Sequence, residues 1–432
     1  MEFTAPPKRA VEAGRLERVD VFPGSGNREM GPRYSVRILD CDPGAATKAA
    51  CFIVPQGREH EYVFASDDGL RQIAASAKCA RLIVVALESR RGHVFSSLEA
   101  VQGELSAAVV AFAPPGTTGQ IAFMTVGSLG NRSVVARGPT ASGDEFFIEE
   151  VDEADGGRTR RLVFGSNPNV VQTEVRLVAA AKKGKKKGGA PAAMAVDHGA
   201  LQSAYHVAML ATAAFIDLDA KTAPRALAIG LGGGVFVMAL RAFLPKLKID
   251  VCELDAQVVT AAEAYFGFQH EGNGDASTSV SVGDGLDYFK DASTTASPYS
   301  FIAVDVDAKD ETSGMCCPPP AFVARAFLRQ VRQGLTENGV CVVNVVARDA
   351  TAFQEACANM AQVFGSVATL KPDEDDVNCI LVGRKSPLPA SKKDRAKLRL
   401  DLRNAVGKWL VDSDAVEDPL ELLETLKRLE FV

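Results

Sequence analysis

The sequence predicts an α/β fold: a parallel sheet of seven strands with helices on both faces, preceded by a β-rich α+β region. Three observations carry this expectation. Between residues 197 and 385, short apolar runs alternate with segments of helical periodicity, the pattern of successive βα units. Within that stretch RALAIGLGGGVFVMALRAFLPKLKIDVCELD (225–255) sets a strand, a glycine turn, a helix, a second strand and a terminal acid in succession. Upstream, from Tyr34, the runs YSVRIL, ACFIVPQ, EYVFAS, RLIVVAL, QIAFMTVG, RSVVARG, EFFIEEV and RRLVFGS are separated by turn residues, as in a mostly antiparallel domain.

Size and composition allow this. A chain of 432 residues with 47% hydrophobic content has room for two or three domains and a core in each. The net charge of −6 gives no general electrostatic case for nucleic acid, and no specific nucleic-acid partner is expected. Nine cysteines without a C-x-x-C spacing read as free thiols of a reducing compartment. The first residues have no apolar signal core, and no apolar run is long enough to span a bilayer, so a cytoplasmic protein without a membrane partner is expected. Oligomeric state is left open between monomer and homodimer.

In chain order, residues 1–33, rich in Pro, Gly and charge, read as a loose tail. Residues 34–178 form the β-rich domain, with helices expected at Asp67–Ala77 and Glu99–Ala113. Its cluster Gln56, Arg58, Glu59 and His60 reads as a solvated loop, and nothing in it has nucleophile or metal-ligand spacing. Residues 179–196, with five lysines among Gly and Ala, read as a flexible linker. In 197–385 a helix is expected over 199–218. Strands are expected at 226–230, 248–254, 278–282, 299–305, 339–346, 366–371 and 378–384, with helices at 235–244, 256–266, 320–334 and 351–363 between them. Residues 386–432 form a charged helical extension that carries the one tryptophan, Trp409, and packs back on the fold.

Polar motifs fall at the carboxyl ends of the strands, where ligands bind in such sheets. The first strand ends in Gly230, Gly232 and Gly234, a G-x-G-x-G loop through which the backbone can approach a ligand. A dinucleotide fingerprint needs a third glycine at position 235, and that residue is Val235. The spacing instead resembles the loop of S-adenosylmethionine-dependent methyltransferases. Glu253 and Asp255 end the second strand and suit the ribose hydroxyls. Asp284, between Gly283 and Gly285, either accepts from the adenine amino group or caps the segment starting at Leu286. The fourth strand ends in Asp305-Val306-Asp307, followed by Gly314-Met315-Cys316-Cys317-Pro318-Pro319-Pro320. Carboxylates there suit an amine acceptor, and the prolines make a stiff wall. Asn344 and Arg348 close the fifth strand. A sulfonium is already activated, so proximity and orientation supply most of the acceleration. An α-amine with a pKa near 8 needs less help to deprotonate than a lysine at about 10.4.

GDGLDY (283–288), DVDAKDETSGMCCPPPAF (305–322) and NVVARD (344–349) closely resemble the C-terminal module of the methyltransferase-like 13 family, dual methyltransferases of translation elongation factor 1-alpha. FIVPQGREHEYVF (52–64), QIAASAKCARLIVVAL (72–87) and RRLVFGSNPNVVQTEVRL (160–177) look like the family's linker region. The resemblance implies a seven-stranded Rossmann-like class I methyltransferase fold of the spermidine-synthase-like type. It also implies S-adenosyl-L-methionine as cofactor and the N-terminal α-amine of elongation factor 1-alpha as acceptor. The family's lysine-methylating module has no counterpart here. Gly230, Gly232, Glu253, Asp284 and Asp305 match the family's cofactor and pocket motifs, and the full set of expected site residues is wider: Asp305 and Asp307 are catalytic. Gln172, Gly230, Gly232, Gly234, Glu253, Asp284 and Gly285 bind cofactor, and His206, Met315, Pro318, Asn344 and Arg348 bind substrate. Asn169 to Gln172 match polar positions of the family, whereas Ala204-Tyr205-His206 departs from its acidic residue and paired histidines. Two alternatives stand beside this reading. One is a polyamine aminopropyltransferase, whose additional carboxylates would fall at Gly233 and Ala208. The other is a non-catalytic scaffold that binds S-adenosylmethionine at the translation machinery.

Overall fold

The computed structural model describes residues 1–3, 9–24, 28–118, 120–126, 129–153, 155–167, 170–179, 194–198, 201–218, 223–290, 297–307, 314–374, 376–412 and 419–431. The chain divides into two compact units, Met1–Arg137 with Phe146–Val171, and Gly138–Glu145 with Gln172–Val432.

In the first unit, β1 (Glu2–Phe3), β2 (Leu16–Phe22), β3 (Tyr34–Asp40), β4 (Thr47–Ile53), β5 (Cys79–Leu87) and β6 (Ala122–Met124) form a six-stranded sheet in the order β1-β2-β3-β5-β4-β6. Apolar side chains alternate to its two faces. Val36, Ile38, Ile83 and Val85 enter one core cluster, and Leu39, Leu82 and Val84 enter the other. Helices α1 (Tyr62–Ala65), α2 (Asp67–Ala77) and α3 (Leu98–Phe112) complete the layers. Ser66 caps α2 by accepting from Gly69 N–H, and Ser97 caps α3 by accepting from Ala100 N–H. The strand β7 (Arg132–Pro139) follows, and β8 (Glu145–Asp152) and β9 (Arg158–Phe164) pair as an antiparallel hairpin.

Three expectations are corrected here. EYVFAS (61–66) is not a strand, because Tyr62–Ala65 forms the helix α1. Leu16–Phe22 is not loose tail: it pairs antiparallel with β3, from Leu16 opposite Leu39 to Val21 opposite Tyr34. Glu17, Arg18 and Asp20 make this run nearly half polar, yet the sheet buries Val21 completely. The polar cluster is not solvated either. Gln56 and Glu59 are buried, because Arg132 reaches Glu59 at 3.1 Å and Gln56 donates to Gly130 O.

The second unit begins with β10 (Val171–Ala179) and β11 (Met194–Val196), an antiparallel pair that turns the end of the expected linker into strand. Linker residues 180–193 lie outside the described residues, as does Asn169. The unit boundary also falls earlier than residue 178, and 138–145 joins the second unit.

The central sheet is built from β12 (Arg225–Ile229), β13 (Lys248–Glu253), β14 (Thr278–Val282), β15 (Tyr299–Val304), β16 (Met315–Cys317), β17 (Leu335–Ala347), β18 (Ala368–Leu370), β19 (Asn378–Arg384) and β20 (Glu430–Phe431). Its order is β14-β13-β12-β15-β17-β19-β18-β20, with β16 paired to β17. The seven expected strands are present, and β16 and β20 extend them. Pairing is parallel from β14 to β17 and antiparallel beyond, so the sheet is mixed rather than wholly parallel.

Alternate residues of β12 and β15 go to opposite cores. Ala226, Ala228, Phe301 and Ala303 enter one cluster, with helices α4 (Ala204–Thr212) and α5 (Val235–Phe243). Leu227, Ile229, Ile302 and Val304 enter the other. Further helices are α6 (Ala256–Ala261), α7 (Arg325–Gly334) and α8 (Ala350–Phe364). The extension supplies α9 (Lys392–Asp412) and α10 (Pro419–Thr425), and Leu402, Val406, Trp409 and Leu422 pack into the cluster that holds α4 and α5. Strand order reverses between β12 and β15, which makes their carboxyl ends the expected ligand crevice. Among the described residues no helix is long and apolar enough to cross a membrane.

Candidate functional site

The crevice opens where Ile229 ends β12 and Val304 ends β15. Gly230, Gly232 and Gly234 all have positive φ (92°, 54° and 78°), a conformation that penalises any side chain. Space is short as well. A Cβ on Gly230 would lie 2.0 Å from the backbone oxygen of Asp305, and one on Gly232 would lie 2.7 Å from Thr173 Oγ1.

The loop's N–H groups are largely spent inside the protein. Gly230 N–H donates to Cys252 O, Leu231 N–H to Glu253 Oε2, Gly233 N–H to Thr173 Oγ1 and Gly234 N–H to Leu231 O. A pyrophosphate needs those donors, so the loop does not suit a dinucleotide. A nucleoside without phosphate needs only close approach and acceptors for its hydroxyls, which fits the residues present.

Glu253 is buried at the end of β13. It accepts from Leu231 N–H at 2.8 Å and from Asp255 N–H at 3.0 Å, each carboxylate oxygen keeping a second lone pair. Burial outweighs these hydrogen bonds and raises its pKa above the usual carboxylate value. Asp255 is occupied differently: one oxygen caps α6 by accepting from Gln257 N–H, and the other accepts from Ala141 N–H at 2.6 Å. Exposed Asp284 accepts from Leu286 N–H at 2.9 Å, the capping alternative, and its second oxygen lies at the strand end. Gly285 is packed so that a Cβ would sit 2.3 Å from Ile229.

On the other side of the crevice, Asp305 is fixed by two donors. Asn344 Nδ2 donates to Oδ1 at 3.0 Å, and His206 Nε2 lies 3.3 Å from Oδ2. Because a carboxylate only accepts, the amide nitrogen of Asn344 must face it. The His206 ring stacks on Phe236 of α5 and tilts against Tyr205. Burial first, and then the charge of Asp305, push the Tyr205 phenol well up. The same two causes keep Cys317 a thiol, whose Sγ donates to Asn344 O at 3.5 Å. Asp307 accepts from Gln172 Nε2 at 2.7 Å.

The expected site residues thus fall into groups. His206, Asp305 and Asn344 are joined, Gln172 and Asp307 are joined, and Glu253 is tied to the glycine loop. Met315 packs into the core at 3% exposure, and Pro318 is buried beside it. Arg348 is exposed, its N–H donating to Gly314 O. Thr173 went unnoticed in the sequence, although its place beside Gln172 was a signal. Among the described residues no group of three or more His, Cys, Asp or Glu is placed to hold a metal ion.

Residues 203–371 match the spermine/spermidine synthase domain. The chain is 39% identical over 375 residues to the zebrafish (Danio rerio) eEF1A lysine and N-terminal methyltransferase, covering 81% of this chain and 53% of that protein. The human (Homo sapiens) protein of the same name is 37% identical over 378 residues, with the same two coverages. The chain therefore spans about half the length of the curated relatives it matches. Among solved structures, human methyltransferase-like protein 13 in complex with SAH is similar at 32% identity, covering 47% of this chain and 92% of that one with a TM-score of 0.41.

Proposed function

We propose that the chain is a spermidine-synthase-like relative of the eEF1A lysine and N-terminal methyltransferases and that it methylates the N-terminal α-amine of translation elongation factor 1-alpha. The observation that carries the reading is Asp305, a carboxylate set beside the glycine loop and held by the neutral side-chain amide of Asn344 and the imidazole of His206. S-adenosylmethionine, when bound, supplies a methyl group on a positively charged sulfur. Gly230, Gly232 and Gly234 would let the backbone come close to it, Glu253 would accept from its ribose hydroxyls, and Asp284 would accept from the base. The Asp305 carboxylate accepts an N–H of the amine and so turns the lone pair toward the methyl carbon, with Asp307 beside it. At pH 7 roughly a tenth of an α-amine is already neutral, so Asp305 need orient more than deprotonate.

The polyamine alternative requires carboxylates that the chain does not carry. At Gly233 a Cβ would lie 2.6 Å from Thr173 Cγ2 and 3.0 Å from Phe266, and Ala208 is wholly buried. Neither place has room for an acid to grip a polycation. The test is to offer the protein S-adenosylmethionine, decarboxylated S-adenosylmethionine, putrescine and unmethylated elongation factor together. A mass gain of one to three methyls on the factor is expected, and propylamine transfer to putrescine overturns the reading.

A further inference from the structure

Two adjacent residues at the start of β10 reach both sides of the crevice. Thr173 is 3% exposed, and its hydroxyl is committed at both ends: it donates to Gln172 O at 2.8 Å and accepts from Gly233 N–H at 2.8 Å. Because the hydroxyl proton points at Gln172 O, its lone pair is fixed toward Gly233. The glycine loop is also moulded around this side chain, since Cβ atoms at positions 232 and 233 would meet Thr173 Oγ1 at 2.7 Å and Thr173 Cγ2 at 2.6 Å. One residue earlier, Gln172 donates to Asp307 Oδ2 at 2.7 Å. A single step of backbone therefore holds the cofactor loop with one side chain and an acceptor-side carboxylate with the next.

We propose that Thr173 is a positioning residue that sets the glycine loop through Gly233 and, together with Gln172, couples occupancy of the cofactor loop to the acceptor side at Asp307. The inference rests on the methyltransferase reading above. Movement of the loop on binding is passed to the Thr173 hydroxyl, through the shared peptide to Gln172, and so to Asp307. Coupling of this kind is reciprocal: each ligand tightens the other by the same factor.

Calorimetric titration of the full chain with S-adenosylhomocysteine, with a peptide copying the unmethylated elongation factor N-terminus, and with each in the presence of the other reads this directly. In the wild type each ligand tightens the other by the same severalfold factor. Thr173→Val keeps the shape, removes the acceptor and leaves Gly233 N–H buried without a partner. S-adenosylhomocysteine then binds roughly tenfold more weakly, about 1.4 kcal/mol, and the coupling factor falls to about one. Thr173→Ser keeps the hydroxyl and restores both, which separates the hydrogen bond from mere packing and from misfolding. Thr173→Val matching the wild type, Thr173→Ser failing like Thr173→Val, or a wild type without coupling each overturns the inference alone. A wild type that binds no S-adenosylhomocysteine overturns the methyltransferase reading and this inference with it.

Discussion

Buried carboxylates of the first unit and those of the candidate site in the second are held by different donors. In the first unit the donors are arginines, as they also are for Asp250 and Asp275 of the second. Asp40 accepts from Arg81 at 2.6 Å and also from Arg9, Glu59 pairs with Arg132 at 3.1 Å, and Glu149 pairs with Arg90. In the second unit, Glu253 is held by backbone N–H groups, and Asp305 by an amide and an imidazole. Among the described residues no arginine or lysine pairs with either acid. A carboxylate paired with arginine has its charge cancelled and serves the fold. One without an arginine or lysine partner keeps its field for a cation that arrives later, whether a sulfonium or an ammonium. The kind of donor, more than the density of acids, separates structural carboxylates from site carboxylates.

Removing the arginine from the first kind should damage stability most. Arg132 donates to Ser89, Leu87 O and Glu59 and lies 4.0 Å from Glu149. Glu149 keeps Arg90, but Arg132→Met leaves buried Glu59 without its partner, so unfolding in denaturant should show a loss of about 3–5 kcal/mol. A loss under 1 kcal/mol, on the scale of an exposed pair, would break the comparison.

Neutralising the second kind should instead damage turnover. Asp305→Asn keeps the shape without the charge, and the methylation rate should fall about 100- to 1000-fold. Affinity for S-adenosylhomocysteine should stay within a few-fold. Loss of cofactor binding would show that Asp305 belongs to the other side of the crevice. Glu253→Gln should do the reverse. Its amide can accept from only one of Leu231 and Asp255, so S-adenosylhomocysteine should bind about 10- to 100-fold more weakly, a loss on the order of 1–3 kcal/mol. Unchanged cofactor affinity would remove Glu253 from the ribose.

The smallest expected effect is a pH dependence in the first unit. Burial, assisted by Arg161, lowers His60 to about 4, below its unfolded value of about 6.5. The unfolded chain then binds the extra proton between those values, so stability is full above about 6.5 and is lost as the pH falls toward 4. The stability difference between wild type and His60→Asn should change by about 1–3 kcal/mol across that window. A difference that is flat with pH would place His60 in solvent.

Much of the second unit was legible in the sequence because its signals are local. The glycine loop, the period of α5 and the acids at Glu253 and Asp305 each announce themselves within a few residues. The strand Asn378–Arg384 occupies the residues its apolar run indicates. What escaped depends on distant partners. Glu59 looks solvated until Arg132, 73 positions later, is folded against it. Leu16–Phe22 looks like tail because Glu17, Arg18 and Asp20 break any apolar run, and it becomes a strand only with β3 beside it. Thr173 carries no motif at all, and its role exists only through Gly233, 60 residues downstream.

An α-amine and a lysine compete for the same methyl group, and the acceptor chosen identifies the enzyme. Tandem mass spectrometry of a peptide that offers both a free α-amine and a lysine, after incubation with the full chain and S-adenosylmethionine, tests that choice most directly. The methyls should lie on the α-amine, with acetylation of that amine abolishing transfer. Methyl groups found on the lysine, or none on the free α-amine, would contradict it.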